Sequence, residues 1–317
     1  MLKPKITIMI PTYNQEKYIE KAIESALSIN YSNLEIVLSD DCSTDNTFDI
    51  AKKYETDSRF KAFRCSTNIG RVNNYKHLLQ DLATGDWVIN CDGDDYLINT
   101  DFFNDSMAKS IENNDIVIFS SNRYKLKENS LKLYPQESYN KDNLINGTEL
   151  FLNYYKFHSG LYHITSLYNR EIAIKAGFYT QDIISSDMES LLRIIPGRKV
   201  YHFDYYSAVW RDHDVNVSKS IDAAKRANNL LMINSLYKYH LENNTFNKNI
   251  LDQWKKSFYI NRIIRIGNRF LTEFKFSIFF NFLSLVNRQE KGVVFKAVTN
   301  HKLLLTILFP YRIKFKN

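Results

Sequence analysis

Short β-rich runs alternate with helical patterns through residues 5–120. Apolar residues recur at helical spacing between the β-rich runs, for example at Ile19, Ala22, Ile23 and Ala26. This alternation predicts an α/β fold, with a doubly wound, mostly parallel sheet and helices on both faces. The predicted strands are 5–10, 34–39, 60–65, 86–91 and 115–120, and the predicted helices are 15–29, 45–54 and 71–83.

A polar cluster follows each of the first four predicted strands. In open α/β sheets, ligands bind at the carboxyl ends of the strands, so these clusters are expected to converge on one site. The fourth cluster puts Asp92, Asp94 and Asp95 directly after an apolar run, where like charges raise one another's pKa unless a cation or fixed donors compensate. Taken alone, each cluster also fits a turn or a helix cap. In chain order the clusters are PTYNQ, DDCSTDNT, STNIGRVNN and DGDDY.

The composition is that of a folded protein with unevenly placed charge. The 317 residues are 44% hydrophobic, which supports a sizeable core. Residues 251–317 hold 13 Lys or Arg and three acidic residues, a net +10, whereas the rest of the chain holds 29 and 32, a net −3. Residues 1–250 and residues 251–317 are therefore expected to bind different partners.

The cysteines and the N-terminus favour a cytoplasmic protein. Three cysteines lack CxxC spacing, so neither a zinc site nor a disulfide framework is indicated. The mostly apolar run before Pro11, residues 6–10, is too short for the apolar region of a signal peptide. We expect a strand there instead.

Four segments follow one another along the chain: ITIMIPTYNQEKYIEKAIESAL, LEIVLSDDCSTDNT, TNIGRVNN and ATGDWVINCDGDDY. Together they resemble the N-terminal half of family 2 glycosyltransferases. The resemblance covers residues 5–218 and implies the GT-A fold, with inverting transfer of a sugar from a nucleotide diphosphate. It does not determine which sugar is moved.

The resemblance places the family's DxD motif at Asp92-Gly93-Asp94. It implies that Asp94 binds Mn²⁺ or Mg²⁺ and that Asp92 contacts the ribose or a metal-bound water. Hard oxygen ligands suit either cation, which would hold the pyrophosphate and absorb its developing charge. Gly93 would let the backbone approach the diphosphate. A turn with a helix cap is the other interpretation of these residues, and the EF-hand pattern fails at Tyr96 and Leu97.

The same resemblance implies that residues of the first three loops contact the nucleotide. We favour Asp40 as the acceptor for the uracil N3–H and Asp41 as a structural or ribose partner. Many members carry Ala-Arg-Asn in the third loop, where this chain reads Val72-Asn73-Asn74. Arg71 therefore has two interpretations, a cation near the nucleotide or a solvated arginine at a helix start. The implied nucleotide-binding residues are Pro11, Thr12, Asp40, Asp41, Asn68, Gly70, Arg71, Asp92 and Gly93.

An inverting transfer needs a base that deprotonates the acceptor hydroxyl. The segment SSDMESLLRI, 185–194, aligns with the family's Glu-Asp pair, so that Asp187 matches the Asp and Ser186 replaces the Glu. The resemblance therefore implies Asp187 as the base and Glu189 as the backup. The alternatives are an N-cap role for Asp187, before a helix over 188–195, and a dipole-stabilising role for Glu189 in the first helical turn.

Two further segments resemble the acceptor and metal sides of the family's site. Residues 158–168 are expected to line the acceptor cleft, with His158, Tyr162 and His163 as candidates. The segment YYSAVWRDHDVNVS resembles a Tyr-Arg-x-His element. It implies that His213 completes the metal shell through an imidazole nitrogen and that Arg211 lies near the diphosphate. A purely structural histidine is the alternative.

Helical patterns replace strand signals from Ile221 onward, which predicts a catalytic domain over 1–220 and a helical region over 221–317. No apolar run there reaches the roughly 18 residues of a membrane-spanning helix. A helix with one basic face suits the surface of an anionic bilayer. Packing on the catalytic domain and a homo-oligomer interface are the alternatives, and no nucleic-acid-binding module accompanies the charge. The basic face predicted over 250–274 consists of Lys255, Arg262, Arg265 and Arg269, with Phe258, Ile263, Phe270 and Phe274 elsewhere on the helix.

These assignments predict a metal-dependent inverting hexosyltransferase at the inner face of the cell membrane. It would move a hexose or N-acetylhexosamine from a UDP-sugar to a saccharide linked to an isoprenoid diphosphate, in surface glycan synthesis. One alternative is a non-catalytic nucleotide-sugar-binding or membrane scaffold protein, because Ser186 replaces the family's Glu. The other is a Mg²⁺-dependent phosphatase of the haloacid-dehalogenase type, whose nucleophilic Asp would follow the first strand, where this chain has PTYN.

Overall fold

The computed structural model describes residues 3–137, 142–156, 161–214 and 216–308. The chain divides into two compact units. The first comprises Met1–Phe151, His158–Asp182 and Ser190–Asp214, and the second comprises Leu152–Phe157, Ile183–Glu189 and Val215–Asn317. The last boundary lies close to residue 220, where the helical region is predicted to begin. Two short segments from the earlier part of the sequence also belong to the second unit.

The first unit contains a ten-stranded sheet. Its strands are β1 (Ile6–Thr12), β2 (Leu34–Asp40), β3 (Phe60–Arg64), β4 (Trp87–Asn90), β5 (Tyr96–Leu97), β6 (Ile116–Lys127), β7 (Lys132–Gln136), β8 (Asn143–Asn146), β9 (Ser166–Asn169) and β10 (Lys199–Asp212). Their order is β3-β2-β1-β4-β9-β6-β10-β5, with β7 paired to β6 and β8 paired to β10.

The helices fill the connections between the strands and form most of the second unit. They are α1 (Ile19–Leu27), α2 (Thr47–Lys52), α3 (Arg71–His77), α4 (Asp101–Glu112), α5 (Gly147–Asn153), α6 (Arg170–Lys175), α7 (Ser186–Ile194), α8 (Ala223–Asn229), α9 (Leu231–Glu242), α10 (Lys248–Thr272), α11 (Phe276–Gln289), α12 (Val293–Val298) and α13 (His301–Leu308).

Strands β1 to β4 pair in parallel, as predicted, and β6 and β10 form a further parallel pair. β1 pairs in parallel with both β2 and β4, and β2 pairs in parallel with β3. The register sets Thr12 beside Asp40 and Met9 beside Asn90. The polar clusters that follow β1, β2 and β4 therefore begin at the same edge of the sheet, which is where the strand-to-helix alternation predicts them.

The core of this half lies between the sheet and α1. Ile6, Ile8 and Ile10 of β1 are fully buried, and so are Ile19 and Ile23 of α1. Each such side chain contributes roughly 1.5–3 kcal/mol when it is removed from water. Packing therefore fixes the end of β1, from which the first polar loop starts.

The second unit is organised around the 25-residue helix α10. A Cβ on Gly267 would lie 2.9 Å from Phe279 and 3.1 Å from Leu303, so the absence of a side chain lets α11 and α13 approach α10 closely. Phe258 and Phe270 are buried in this packing. Within the part of the chain that the structure describes, no helix is both long enough and apolar enough to cross a membrane.

The predicted basic face of α10 is packed within the second unit along much of its length. Lys255 forms an ion pair with Glu290 at 2.8 Å. One Nη atom of Arg262 lies 3.2 Å from the Met188 sulfur, and its guanidinium carbon lies 5.4 Å from the centre of the Phe258 ring. Helical periodicity groups these cations correctly, but it does not show which of them other elements cover.

Glu35 ties β2 to β1 and to the turn before β4. Its carboxylate accepts hydrogen bonds from Thr7 Oγ1 at 2.7 Å, from Lys5 Nζ at 2.9 Å and from the Thr84 backbone N–H at 2.9 Å. Burial alone would raise the pKa of Glu35, but these hydrogen bonds outweigh it and lower the pKa below its usual value. A lowered folded-state pKa means that the carboxylate stabilises the fold at neutral pH.

We predict that Glu35→Gln lowers the free energy of unfolding by about 1–3 kcal/mol at pH 7, because an amide cannot accept from all of these donors. The contribution of Glu35 is present above the unfolded-state pKa, about 4.3, and is lost as the pH falls through the lower folded-state value. The difference between the two proteins should therefore shrink below about pH 4. Urea unfolding followed by tryptophan fluorescence measures it.

Glu112→Gln is the matched control for this prediction. Glu112 pairs with Lys109 at 2.7 Å, but its side chain is 60% exposed. An exposed pair of this kind contributes about 0–1 kcal/mol. A Glu35→Gln effect no larger than that of the control, or one independent of pH, would contradict the assignment.

Candidate functional site

Backbone pairing with β1 continues beyond the end of β4 and carries the chain into the acidic cluster. The N–H of Cys91 donates to Met9 O at 2.9 Å, and the N–H of Gly93 donates to Pro11 O at 3.1 Å. A Cβ on Gly93 would lie 2.3 Å from Gln15 Oε1 and 2.8 Å from the Thr12 hydroxyl oxygen. Position 93 therefore requires glycine because the first loop passes directly against it.

The three carboxylates of the cluster lie together, as the sequence predicts. Asp92, Asp94 and Asp95 each offer an oxygen, and these oxygens lie within 4.8 Å of one another. Burial, together with the charges of Asp94 and Asp92, raises the pKa of Asp95 well above its usual value. Asp95 Oδ1 accepts a hydrogen bond from the Arg211 backbone N–H at 2.8 Å. The cluster is therefore a concentration of negative charge among hard oxygen atoms, which the Arg211 N–H compensates only in part.

The end of β10 brings the predicted arginine and histidine to this cluster. His213 Nε2 lies 2.7 Å from Asp94 Oδ2, and Arg211 Nε donates to Asp94 O at 2.9 Å. Asp94 and His213 are both largely buried, with side-chain exposures of 14% and 7%. The structure thus joins Asp94, His213 and Arg211, which are far apart in sequence.

Tyr18 holds both of these side chains in place. Its ring stacks on the His213 imidazole, with centroids 5.6 Å apart, and lies 4.7 Å from the Arg211 guanidinium carbon. The Tyr18 hydroxyl donates to Glu128 at 2.5 Å. Burial and this hydrogen bond raise the pKa of Tyr18 to about 12, so the phenol stays protonated. No motif singles out Tyr18 or Glu128, and their separation by 110 positions leaves no local signal in the sequence.

The two aspartates after β2 organise the neighbouring loops. Asp40 is fully buried, its carboxylate accepts from both the backbone N–H and the hydroxyl of Ser43, and Arg64 lies 3.4 Å away. Asp41 accepts from the N–H groups of Ile69 and Gly70 at 2.7 and 2.9 Å. The second loop is therefore fixed to the third.

The third loop begins α3 beside these aspartates. The Asn68 side-chain amide donates to Asp41 O at 3.1 Å, and Gly70 has a φ of +85°, which favours glycine. The guanidinium carbon of Arg71 lies 5.4 Å from the Tyr75 ring centre. Arg71 thus has a structural contact of its own, and its role toward a nucleotide stays a prediction.

An aromatic network lies beside Asp92. The Tyr75 hydroxyl donates to Asp92 Oδ2 at 3.0 Å, and the Tyr75 ring packs edge-on against His163 at 5.1 Å. His163 Nε2 lies 2.8 Å from the hydroxyl oxygen of Tyr179, and that hydroxyl donates to Asn90 Oδ1 at 3.1 Å. The sequence predicts His163 but does not point to Tyr75, Tyr179 or Asn90.

Of the two other candidates for the acceptor cleft, Tyr162 and His158, the structure describes only Tyr162. Tyr162 stacks on Arg123, whose guanidinium carbon lies 3.9 Å from that ring and 4.7 Å from the Trp210 ring. His158 lies outside the described residues. Tyr162 therefore belongs to an arginine–aromatic stack of the first unit, and its contact with an acceptor stays a prediction.

The base candidates lie in the second unit, at the start of α7. The helix begins at Ser186, so Asp187 lies inside the first turn rather than at the N-cap of a helix over 188–195. Asp187 is partly exposed, whereas Glu189 is fully buried and accepts a hydrogen bond from Ser235 at 2.6 Å. This geometry favours Asp187 over Glu189 as a group that can reach a substrate.

The sequence profile described as "Glycosyl transferase family 2" matches residues 7–177, which is more than half of the chain. The chain belongs to glycosyl transferase family 2. The matched range includes β1 to β4 and the acidic cluster. The matched range ends before Asp187, Arg211 and His213. The roles assigned to these three residues therefore depend on their geometry and on the resemblance described above.

Two relatives of this family 2 protein indicate the processes in which similar chains act. The poly(ribitol-phosphate) beta-N-acetylglucosaminyltransferase TarS of Staphylococcus aureus is 35% identical over 106 residues, which are 33% of this chain and 18% of that protein. The GalNAc(5)-diNAcBac-PP-undecaprenol beta-1,3-glucosyltransferase of Campylobacter jejuni is 34% identical over 97 residues, 30% of this chain and 31% of that protein. The chain thus aligns with less than half the length of these relatives.

Solved structures confirm the GT-A-type α/β fold. A TarS fragment, residues 1–349, in complex with UDP-GlcNAc matches with a TM-score of 0.67 and 18% identity, over 98% of this chain and 92% of that chain. A mannosyltransferase from Pyrobaculum calidifontis, in complex with GDP-Man and Mn²⁺, matches with a TM-score of 0.54 and 16% identity, over 99% of this chain and 83% of that chain. At these identities the likeness shows the fold alone.

The residues of the acidic cluster fit a divalent cation. Carboxylate oxygens are the ligands that Mg²⁺ and Mn²⁺ prefer, and an imidazole nitrogen is compatible with Mn²⁺. Burial, together with the charges of Asp94 and Asp92, raises the pKa of Asp95, and a cation would reduce this repulsion. A cation there would be held by Asp94 and His213, with Asp92 beside it.

We predict that Asp94→Asn weakens Mn²⁺ binding roughly tenfold or more, about 1.4 kcal/mol, because it removes both a ligand charge and the partner of His213. Electron paramagnetic resonance of free Mn²⁺, titrated with the protein, measures this directly. Asp101→Asn is the control, since Asp101 is an exposed acid in the first turn of α4. Equal Mn²⁺ affinities for Asp94→Asn and the control would argue against the site.

Proposed function

We propose that the chain is an inverting glycosyltransferase that moves a hexose or N-acetylhexosamine from a UDP-sugar to a saccharide acceptor in bacterial surface-glycan synthesis. The observation that carries this proposal is the convergence of Asp92, Asp94, Arg211 and His213 at the end of β4, within a family 2 domain. The names of the relatives support glycan synthesis, and the UDP-GlcNAc complex of TarS supports a UDP-sugar donor.

The donor diphosphate is negatively charged, so its binding requires positive charge. The acidic cluster can supply that charge only by binding a cation. Mn²⁺ or Mg²⁺ bound there would neutralise the charge that develops on the leaving diphosphate. Asp94 and His213 would hold the cation, and Asp92 would contact the ribose or a metal-bound water. Arg211 supplies a fixed guanidinium at the same place, because its backbone N–H bonds to Asp95 and Tyr18 supports its side chain.

The nucleoside is assigned to the ends of β1 and β2. Pro11 and Thr12 frame the base, and Asp40 accepts the uracil N3–H. An ionised carboxylate has about four lone-pair sites, so the bonds from Ser43 leave capacity for this further donor. Asp41 fixes Asn68 and Gly70, the third-loop residues assigned to the nucleotide.

Asp187 is assigned as the base of the transfer. The acceptor oxygen attacks the anomeric carbon, its proton passes to the Asp187 carboxylate, and the bond from the anomeric carbon to the diphosphate oxygen breaks. Ser186, at the position of the family's Glu, is fully buried and cannot replace Asp187 in this step.

The second unit is assigned to the membrane surface, at the inner face, where an isoprenoid-diphosphate-linked acceptor would be found. Phe276, Phe280 and Phe295 are 41%, 63% and 71% exposed. Lys256 lies beside Lys296 and lowers the pKa of that ammonium group. A helical unit that combines exposed aromatic side chains with a pair of lysines suits an anionic bilayer.

We predict that Asp187→Asn retains metal-dependent UDP binding and loses transfer, whereas Asp94→Asn loses both. Removing a general base costs typically 10²–10⁴-fold in rate. Calorimetric titration with UDP and Mn²⁺ measures binding, and release of UDP from UDP-sugars measures turnover. Asp182→Asn, at an exposed neighbouring position, is the matched control.

Equal loss of UDP binding in Asp187→Asn and Asp94→Asn would refute these roles. A thermal-shift panel of nucleotide sugars with Mn²⁺ ranks the donors, since a ligand at 100 times its dissociation constant stabilises the fold by about 2.7 kcal/mol. A chain that binds UDP-sugars but never releases UDP would be a binding protein instead. Release of phosphate from simple esters without nucleotide would indicate a phosphatase.

A further inference from the structure

His213 is the first residue after β10, beyond the last pair of the ladder between β6 and β10. That ladder ends where Asp212 lies beside Lys127. One further backbone bond follows it, from the Glu128 N–H to Asp212 O at 3.3 Å. The His213 imidazole is nevertheless largely buried, with Nε2 at 2.7 Å from Asp94 Oδ2. Its orientation at the acidic cluster therefore depends on contacts between side chains.

Tyr18 and Glu128 complete a closed set of contacts around this histidine. The Tyr18 ring lies nearly parallel to the imidazole, at an interplanar angle of 13° and with centroids 5.6 Å apart. The Tyr18 hydroxyl donates to Glu128 Oε1 at 2.5 Å. The Glu128 N–H in turn donates to Asp212, which is covalently joined to His213. The residue that holds the phenol is therefore itself bonded to the backbone beside the imidazole.

The other end of the Tyr18 side chain is fixed as well. Its own N–H donates to Gln15 O at 2.9 Å, and the next residue, Ile19, is fully buried in the core. The ring also lies 4.7 Å from the guanidinium carbon of Arg211, whose Nε donates to Asp94 O. Tyr18 is thus anchored at its backbone and at its hydroxyl, and its ring contacts both side chains that β10 brings to Asp94.

We propose that Tyr18 and Glu128 are positioning residues that give the donor site a preference for Mn²⁺ over Mg²⁺. Mg²⁺ is a hard cation that takes oxygen ligands, whereas an imidazole nitrogen is a better ligand for a transition metal. A correctly oriented His213 therefore adds more to the binding of Mn²⁺ than to that of Mg²⁺. The inference rests on the proposed function, because it takes Asp94 and His213 as the cation ligands.

The test compares the affinities of the full-length chain for the two cations. Electron paramagnetic resonance of free Mn²⁺ measures Mn²⁺ binding, and competition by Mg²⁺ in the same titration measures Mg²⁺ binding. The partners that orient a ligating histidine are typically worth roughly 10–100-fold in metal affinity. We therefore expect Tyr18→Leu to weaken Mn²⁺ binding about tenfold or more and Mg²⁺ binding less than about twofold.

A spectroscopic signature reports on His213 directly. Electron spin echo modulation of bound Mn²⁺ detects a coordinated imidazole nitrogen. We expect this nitrogen signal in the wild type, its loss in His213→Ala and its weakening in Tyr18→Leu. The urea midpoint of each variant, measured in parallel, separates a change in the site from a change in the stability of the fold.

Glu128 provides a second test, since it is half-buried and lies in the connection between β6 and β7. Glu128→Ala removes the acceptor of the Tyr18 hydroxyl and should lower the ratio of Mn²⁺ to Mg²⁺ affinity, by a smaller factor than Tyr18→Leu. Glu128→Gln keeps an acceptor oxygen and should hold this ratio within about twofold of the wild-type value. Both variants remove the same charge, which acts on the two divalent cations alike, so the ratio isolates the effect of orientation.

Tyr54→Leu is the matched control. The Tyr54 hydroxyl donates to Glu20 at 3.1 Å, and the Tyr54 ring packs against Phe60 with centroids 6.5 Å apart. This second tyrosine–glutamate pair belongs to the same unit, and neither member is assigned to the cation or to the donor. The ratio of the two affinities should stay at the wild-type value in this variant.

Equal weakening of Mn²⁺ and Mg²⁺ binding by Tyr18→Leu would overturn the proposal, because a merely structural residue changes both affinities alike. Absence of the nitrogen signal from the wild type, or an unchanged signal in Tyr18→Leu, would overturn it as well. If Tyr18→Leu does not fold, an unchanged affinity ratio in Glu128→Ala decides against the proposal. Each of these results, with metal-dependent UDP binding and UDP release intact in the wild type, leaves the proposed function standing. Failure of the wild type to bind UDP with either cation would refute the proposed function by itself.

Discussion

The site depends on mutual repulsion among three carboxylates that the sheet does not allow to separate. Asp92, Asp94 and Asp95 follow β4, whose backbone pairing with β1 continues through Gly93. Because the backbone is fixed there, the charges can be compensated only by groups brought to them. The Arg211 N–H and guanidinium, and the His213 imidazole, are the protein's own contribution. The remaining charge is what makes the position suitable for a divalent cation.

Strand β10 positions those compensating groups. The register of its pairing with neighbouring strands determines which of its residues lie at the acidic cluster. It runs parallel to β6 and pairs Val209 with Tyr96, immediately after the acidic cluster. Arg211, two residues after Val209, donates hydrogen bonds to Asp94 and Asp95. A shift of one residue in this register would send the side chains of β10 to the opposite face of the sheet. The long pairing of β10 with β6 therefore determines which side chains lie at the end of β4.

Local features of the site were predictable from the sequence, and long-range contacts were not. Strand-to-helix alternation places the polar loops at one sheet edge, and DGDDY is recognisable because its acids are adjacent in the chain. The contact from Tyr18 to Glu128 joins residues 110 positions apart, and neither belongs to a motif. Periodicity likewise groups Arg262 with Lys255 on one face of α10, but only the tertiary packing shows that Met188 of α7 contacts Arg262, beside Phe258 of the same helix. Such roles depend on which residues lie close together in the fold. No local pattern in a single sequence identifies those residues.

Charge of opposite sign in the two units fits a reaction between two anionic substrates. A nucleotide sugar can approach the carboxylates of the first unit only together with a cation, because its diphosphate would otherwise be repelled. A phosphate-bearing acceptor has no such cation of its own, so it needs fixed positive charge elsewhere in the protein. The second unit carries an excess of such charge, since residues 251–317 hold 13 Lys or Arg and only three acidic residues.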